Sequence, residues 1–383
     1  MSGPPMFLIA LCHQLNRYAY AYRKSNRPIA VLIAPSVMPL TSYDPVIASN
    51  LSHERNSESE PSGHTSHRKE NAMWSPQTAS VIADQAILQS ALGENFPAVT
   101  ASTWRSVRDI VLDWGIICLA VWATYRIGGW TAPLSIIFIG NRQRALGNLL
   151  HEASHQNLSP WRHLNDALAW ILLAAPLFNS LAFYRRQHAM HHAWLGDSVH
   201  DPDFIACPVK DGDRWLDVYA RVVFDYPVWE GSLLGHLTGW RLAWRQWSAI
   251  VFWWILFETL IAILLGVHMA WLCFVLWIAA KGTIFHAITT FREMTDHYGL
   301  KPGGIFQYTR EIPTHGLLSV LLHPHHNGYH LTHHLFPHIP YHHLPRAHAH
   351  LIRDSKFSQR AIICQAYFNG THTGVDGWGA NHA

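Results

Sequence analysis

Strong charge of either sign is missing from this sequence. Lys and Arg number 28 against 25 Asp and Glu, a formal net charge of +3, and the basic residues are scattered. A surface built on phosphate neutralisation is thereby excluded, and nucleic-acid binding with it. Paired cysteines are missing too. Cys12, Cys118, Cys207, Cys273 and Cys364 lie far apart with no short paired spacing, so neither a disulfide framework nor a thiolate metal site is available. Each reads instead as a small apolar residue. The apolar stretch from Phe7 to Cys12 lacks a basic run before it and a small-residue cleavage site after it, and so is not expected to be a secretory signal.

What the chain has in excess is histidine and tryptophan. The 29 His and 18 Trp are each roughly three times ordinary usage. Excess histidine points to metal. Excess tryptophan points to the membrane interface, where the ring lies at headgroup level and its N–H meets water. With 49% hydrophobic residues in 383, the length suits two soluble domains or one membrane domain with a large polar cap.

Residues 1 to 72 are polar and irregular, with a Ser/Glu/His-rich run from Ser49 to Lys69, and are expected to be disordered or a superfluous extension ahead of a true start at Met73. Beyond them, apolar segments come in pairs. Ile110–Tyr125 and Trp130–Leu150 are separated by a turn at Gly128 and Gly129, and Trp247–Leu265 is followed at once by Val267–Thr290. At 1.5 Å per residue each crosses, or nearly crosses, ~30 Å of hydrocarbon, and both pairs read as transmembrane hairpins. A fifth run, Leu164–Phe183, lies between two histidine clusters that a single crossing would separate, so an interfacial or re-entrant segment is expected. Arg105, Arg108, Arg162, Arg185, Arg186, Arg241 and Arg245 gather at the same helix ends, which puts the termini and the polar cap in the cytoplasm. The expected domains are 73–354, membrane-embedded, and 355–383, a polar tail.

Three histidine clusters carry the chemistry. His151 and His155 stand in HEASH, one helical turn apart and on one face. His188, His191 and His192 stand in HAMHH, and His330, His333 and His334 in HLTHH, where positions i, i+3 and i+4 share a face. An isolated pair would read as surface or core histidines; three clusters on one side of two hairpins do not. Eight imidazoles exceed the needs of one zinc ion, which takes four ligands or three and a water, so two metals are implied. Imidazole suits iron, copper, nickel and zinc alike. Iron is favoured by the apolar setting, since attack on an unactivated C–H bond needs redox chemistry with oxygen.

These boxes, H-x-x-x-H, H-x-x-H-H and H-x-x-H-H, set on two membrane hairpins over roughly residues 105–350, closely resemble the membrane fatty acid desaturase and hydroxylase superfamily. The resemblance implies an all-α integral membrane fold of four transmembrane helices in two hairpins, with a cytoplasmic helical cap holding a di-iron site. It carries over the eight box histidines as ligands of two iron ions and adds His297, in EMTDHYG just after the fourth span. Glu293, one turn earlier on the same face, could hold a metal-bound water or orient a ligand. Asp201 and Asp203, in HDPDF, could accept a hydrogen bond from the far nitrogen of a ligating imidazole and fix its tautomer, or simply begin a turn. His323, His325, His326, His338, His342, His343, His348 and His350 fall off the box spacing and read mostly as solvated or as neighbours of ligands.

The implied activity is O2-dependent removal of hydrogen from a long-chain fatty acid or fatty acyl group, most simply desaturation, with hydroxylation as the alternative fate of the same radical. The His-Pro-Gly-Gly run of a cytochrome b5 module is absent, so electrons would come from a separate donor of ferredoxin, rubredoxin or cytochrome b5 type. Arg144, Asn148, His151 and His155 share one helical face, with Arg144 ~10 Å from His151. An arginine within a span is costly unless paired. It could bind the carboxylate of a free fatty acid, which would resemble the branch of the superfamily that forms 1-alkenes by oxidative decarboxylation, or it could reach for headgroups. A remoter alternative is an intramembrane zinc protease, because HEASH also matches H-E-x-x-H.

Overall fold

A computed structural model of the chain describes residues 80–85, 99–240, 242–313 and 316–380. The N-terminal 72 residues, expected to be disordered or superfluous, lie outside the described residues. The architecture is helical, and the one sheet among the described residues pairs two short parallel strands, β1 (Arg310–Glu311) and β2 (Ile362–Ile363).

Helix α1 (Thr103–Ile127) begins where the Ser102 hydroxyl accepts the Arg105 amide and ends at Gly128. Helix α2 (Ala132–Ser154) follows, with a proline in its first turn, where the missing N–H costs nothing. The two pack along their length as a hairpin. A short helix α3 (Arg162–Ala169) runs into a wider π turn at Trp170–Ala174, and the chain then bends before α4 (Leu181–Ala193), capped by the Ser180 hydroxyl. The Leu164–Phe183 run is therefore a broken helix and not a straight span. Its backbone carbonyls at Leu172 and Ala175 accept indole N–H groups from Trp114 and Trp254, at 3.0 and 3.1 Å.

Two short helices, α5 (Trp215–Val223) and α6 (Tyr226–Leu234), lead to the second hairpin, α7 (Trp244–Leu265) and α8 (Val267–Ala280). The linker is the single residue Gly266, whose φ of 93° is a conformation that side chains with a Cβ avoid. A π turn at Lys281–Phe285 carries α8 into α9 (His286–His297). Thus the expected span Val267–Thr290 continues without a break to His297. Helices Thr103–Ile127, Trp244–Leu265 and Val267–His297 are long and apolar enough to cross a membrane. They expose Leu119, Trp122, Phe252, Ile255, Ile263, Leu264 and Trp271, large apolar side chains of the kind that face lipid.

Helix α2 differs. It is 23 residues long, about 35 Å, but from Ile139 onward nearly every side chain is buried, polar ones included. Gln143 donates to the Trp277 carbonyl at 3.0 Å, and Asn141 to that of Leu321 at 2.7 Å. Arg142 pairs with Asp113 on α1 at 2.9 Å. Helix α2 is thus the central post, clad by α1, α4, α8 and α9, and Gln143, Asn141 and Arg142 find protein partners in place of water. Beyond α9 come α10 (Gly316–Leu322), α11 (His330–Leu335) and α12 (Leu344–Leu351). Residues 355–380, read from sequence as a polar tail, bury Phe357, Cys364, Tyr367, Val375 and Trp378. Trp378 packs on Phe291 of α9 with ring centroids 5.4 Å apart.

On α2 a neighbouring backbone comes close at Gly140, where an added Cβ would meet Ile284 Cβ at 2.5 Å and the Phe285 amide nitrogen at 2.9 Å. Gly140→Val is expected to destabilise the protein by about 1–3 kcal/mol, read as a lowered melting temperature in detergent. An unchanged value would mean that this contact carries no load.

Candidate metal centre

All nine histidines singled out from sequence come together, and they do so as two groups. His151, His155, His188, His192 and His333 form one, and His191, His297, His330 and His334 the other; within each group the ligand-capable atoms lie within 4.8 Å of one another. The division follows helix geometry. On α4, His188 and His192, four apart, serve the first group while His191 turns to the second. On α11, His330 and His334, again four apart, serve the second while His333 turns to the first. Residues i and i+4 lie closest on a helix face, and i+3 falls to the other side of i. Each of these helices therefore supplies both groups.

The rings meet edge on through their Nε2 atoms. His188 lies 2.8 Å from His155 and 3.0 Å from His192, and His192 lies 3.3 Å from His333. In the other group, His330 lies 3.0 Å from both His297 and His334, and His334 lies 3.3 Å from His191. Ligand nitrogens about 2.0–2.1 Å from a shared ion, set at tetrahedral or octahedral angles, are separated by about 3.0–3.4 Å, so the observed spacing fits coordination. Both ring nitrogens of His151 are buried without a hydrogen-bond partner, as are the Nδ1 atoms of His333 and His334. Buried polar atoms are seldom left so, and a metal would use the Nε2 of His151.

Protonation agrees. Burial first, and then the neighbouring rings, push His188, His192, His330, His333 and His334 well below the ordinary histidine range, leaving the neutral imidazole that binds metal. His191 moves the other way: burial works against its charge, but the carboxylates of Asp201 and Asp203 outweigh it.

Surrounding groups fix the rings. The Nδ1 of His191 faces Asp201 Oδ1 at 2.9 Å, and that carboxylate is itself held by the amides of Gly196 and Asp203, each at 2.9 Å. Asp203 lies farther off, at 3.8 Å, and half exposed. His297 Nδ1 meets the Tyr308 carbonyl at 2.6 Å. Helix α11 has six residues, too few to be stable alone. The fully buried Glu311 holds its first turn by accepting from the Thr332 amide at 2.9 Å and from the Thr332 hydroxyl, and its other neighbour is His348 Nδ1 at 2.8 Å.

Glu152 of HEASH faces elsewhere. It accepts from the Tyr341 amide at 2.9 Å and Asn157 Nδ2 at 3.2 Å, with His151 Nδ1 3.4 Å away. Glu293 belongs to neither histidine group. Its charged neighbours are Arg292, Asp203, Arg144 and Asp296. Arg144 is buried, with its Nε on Asn148 Oδ1 at 2.9 Å. Of the histidines off the box spacing, several are far from solvated: His323 is buried against Tyr367 at 2.8 Å, and His325 pairs with Asp113 at 2.8 Å. Glu311 escaped the sequence reading, and so did a helical pair, Arg292 and Asp296. Asp296 lies 3.5 Å from His330 Nε2 and pairs with Arg292 at 2.7 Å; their spacing of four on a helix was a visible signal.

Together, the apolar helices and the paired histidine groups define a helical scaffold of membrane type that carries two clusters able to hold metal. A family model for fatty acid desaturases matches residues 128–365, well over half of the chain, and the protein belongs to that family. It is 28% identical over 281 residues to the dihydrorhizobitoxine desaturase of Bradyrhizobium elkanii, an alignment covering 66% of this chain and 76% of that protein. The chain is accordingly a desaturase-like oxidoreductase.

A pH prediction follows from the five depressed imidazoles. Unfolded, each takes up a proton below its ordinary value of 6.5; folded, it does not, so the metal-free protein is fully stable above that pH and loses stability as the pH falls below it. His191 contributes with the opposite sign and is outnumbered by the depressed rings, to which His155 also belongs. The melting temperature of metal-free protein in detergent should fall steadily from pH 7 to pH 5.5, and a flat or rising profile would contradict the burial of neutral rings.

Proposed function

We propose that the chain is an O2-dependent, di-iron fatty acid desaturase of the membrane, acting on a long-chain fatty acid or fatty acyl group. The observation that carries the reading is the pair of histidine groups, one of five and one of four imidazoles. Two iron ions held there would supply the oxygen activation and redox capacity that breaking an unactivated C–H bond requires. Four helices, α1, α2, α7 and the long α8–α9, form the spans of this reading, with the metal-bearing cap on the cytoplasmic side and residues 73–354 as the catalytic domain. A separate ferredoxin, rubredoxin or cytochrome b5 type protein donates electrons.

The chain's own residues have definite tasks. Asp201 and the Tyr308 carbonyl hold protons on the Nδ1 atoms of His191 and His297, which leaves the Nε2 lone pairs for metal. Glu311 keeps α11 helical, so that His330, His333 and His334 stay in register. Glu293, one turn before His297, holds a proton or water beside the second group, and Arg144 takes the acidic head of the substrate. Loss of two hydrogens from adjacent methylenes then gives an alkene. If the substrate is a free acid bound head-first, loss of a β-hydrogen atom, one further electron and CO2 from the carboxylate, with O2 as the oxidant, gives a 1-alkene instead; the buried Arg144, which forms no ion pair within 4 Å among the described residues, supports keeping this second reading. A zinc protease is disfavoured because Glu152, which would have to activate water, is committed to the Tyr341 amide and Asn157.

Membranes containing the protein, given O2, a reductase system and a saturated fatty acid, should form an unsaturated acid of the same length detectable by mass spectrometry. An alkene one carbon shorter would select decarboxylation, and a hydroxy acid hydroxylation. No O2-dependent product, with peptidase activity and one zinc per chain, would overturn the proposal.

A further inference from the structure

A cavity of about 420 Å³ opens where the broken helix of residues 162–174 meets the starts of α4 and α7. Its lining changes character along α7: Arg245 and Gln246 belong to the first turn of that helix, Ala249 and Ile250 to the second. One turn rises about 5.4 Å, so the cavity is polar where α7 begins and apolar just below. Trp170 and Leu181 continue the apolar wall from the neighbouring segments. Exposed tryptophans at 161, 170, 244 and 247 put this level at the membrane–water interface.

Charge at the rim does not balance. Asp166, the one acid in the lining, is taken by Arg185 at 2.6 Å, and Arg162 acts on the same carboxylate. Arg245 is exposed and forms no ion pair among the described residues; its guanidinium carbon lies 5.8 Å from the Trp244 ring centroid. Among the described residues no side chain caps the start of α7, and its first turn holds no acid, so the positive end of a 22-residue helix adds to the charge of Arg245. The cavity also backs onto a clamp. From its wall Arg185 donates to the Ala153 and Ser154 carbonyls at the end of α2, each at 3.1 Å, and so ties the helix bearing His188 to the one bearing His151.

We propose that this cavity holds an anionic phospholipid, with its phosphate at Arg245 and the first turn of α7 and one acyl chain against Trp170, Leu181, Ala249 and Ile250. The proposal rests on the membrane placement given above and not on the reaction. No histidine of either metal group lines the cavity, so this lipid stays bound and is not the chain that is oxidised. A phosphodiester supplies the charge that the rim lacks, and its chain covers the apolar wall. A zwitterionic headgroup brings an ammonium to a rim where cations already predominate, and a free phosphate leaves the wall bare. Once seated, the lipid packs behind Arg185 and steadies α4 against α2.

The test is native mass spectrometry and thermal unfolding of the purified, iron-loaded, full-length chain in detergent, with dioleoylphosphatidylglycerol, dioleoylphosphatidylcholine and inorganic phosphate as probes. Wild type should retain phosphatidylglycerol about fivefold more tightly than phosphatidylcholine, the effect of one interfacial cation, and should melt at a higher temperature with it. Arg245→Gln should remove both the preference and the rise, and Ala249→Trp, which fills the cavity, should weaken retention of both lipids. Iron content and the lipid-free melting temperature report whether each variant folds, and the wild-type comparison of lipids needs no variant. Equal retention of the two phospholipids, phosphate bound as tightly as either, or a preference that survives Arg245→Gln overturns the inference. Each of these leaves the desaturase reading intact, since that reading fails instead on the absence of an O2-dependent product.

Discussion

The structure turns on the crowding of nine imidazoles with their ligand-capable nitrogens within 4.8 Å of one another in each of two groups. Each close Nε2 pair, at 2.8–3.3 Å, needs a proton or a cation between its lone pairs. Where a carboxylate or carbonyl behind the ring takes the one proton of a neutral imidazole at Nδ1, as Asp201 and Tyr308 are placed to do, the Nε2 lone pair is left for a cation. That requirement explains features that would otherwise be unrelated: the buried carboxylates behind the rings, the short α11 clamped by Glu311, and the sharing of α4 and α11 between both groups. Moving either helix disturbs both centres at once, so the two are built as a unit.

Helix α2 makes this possible within an apolar envelope. It is too polar to face lipid along its length, and the protein instead encloses it, matching Gln143 and Asn141 to backbone carbonyls and Arg142 to Asp113. With His151 in its last turn and His155 directly after Ser154, it delivers the first cluster. The helices that present apolar side chains outward, α1, α7 and α8, stand around it. The polar interior and the lipid-facing exterior are thus divided between helices and not between the two faces of each one.

Much of this was legible in the sequence because it is periodic. Long apolar runs fix helix length, and the i, i+3, i+4 spacing of His188, His191, His192 and of His330, His333, His334 announces one-sided clusters. The ends of the spans were underestimated, since Arg105, Glu293 and His297 are polar yet continue their helices. The division of each box between two groups was not legible, because spacing on one helix says nothing about what stands opposite. The same holds for Arg292 and Asp296, whose positions matter only beside His330, and for His323, whose Tyr367 partner lies 44 residues away. Residues 355–380 looked polar because their few apolar side chains have no regular period; Phe357 and Trp378 are buried by tertiary contacts alone.

The most direct test is a diffraction measurement of anomalous scattering at the iron edge on crystals of the purified chain. Two peaks, one among His151, His155, His188, His192 and His333 and the other among His191, His297, His330 and His334, are the expected result. A single peak, or a signal only at the zinc edge, would contradict a paired-iron centre.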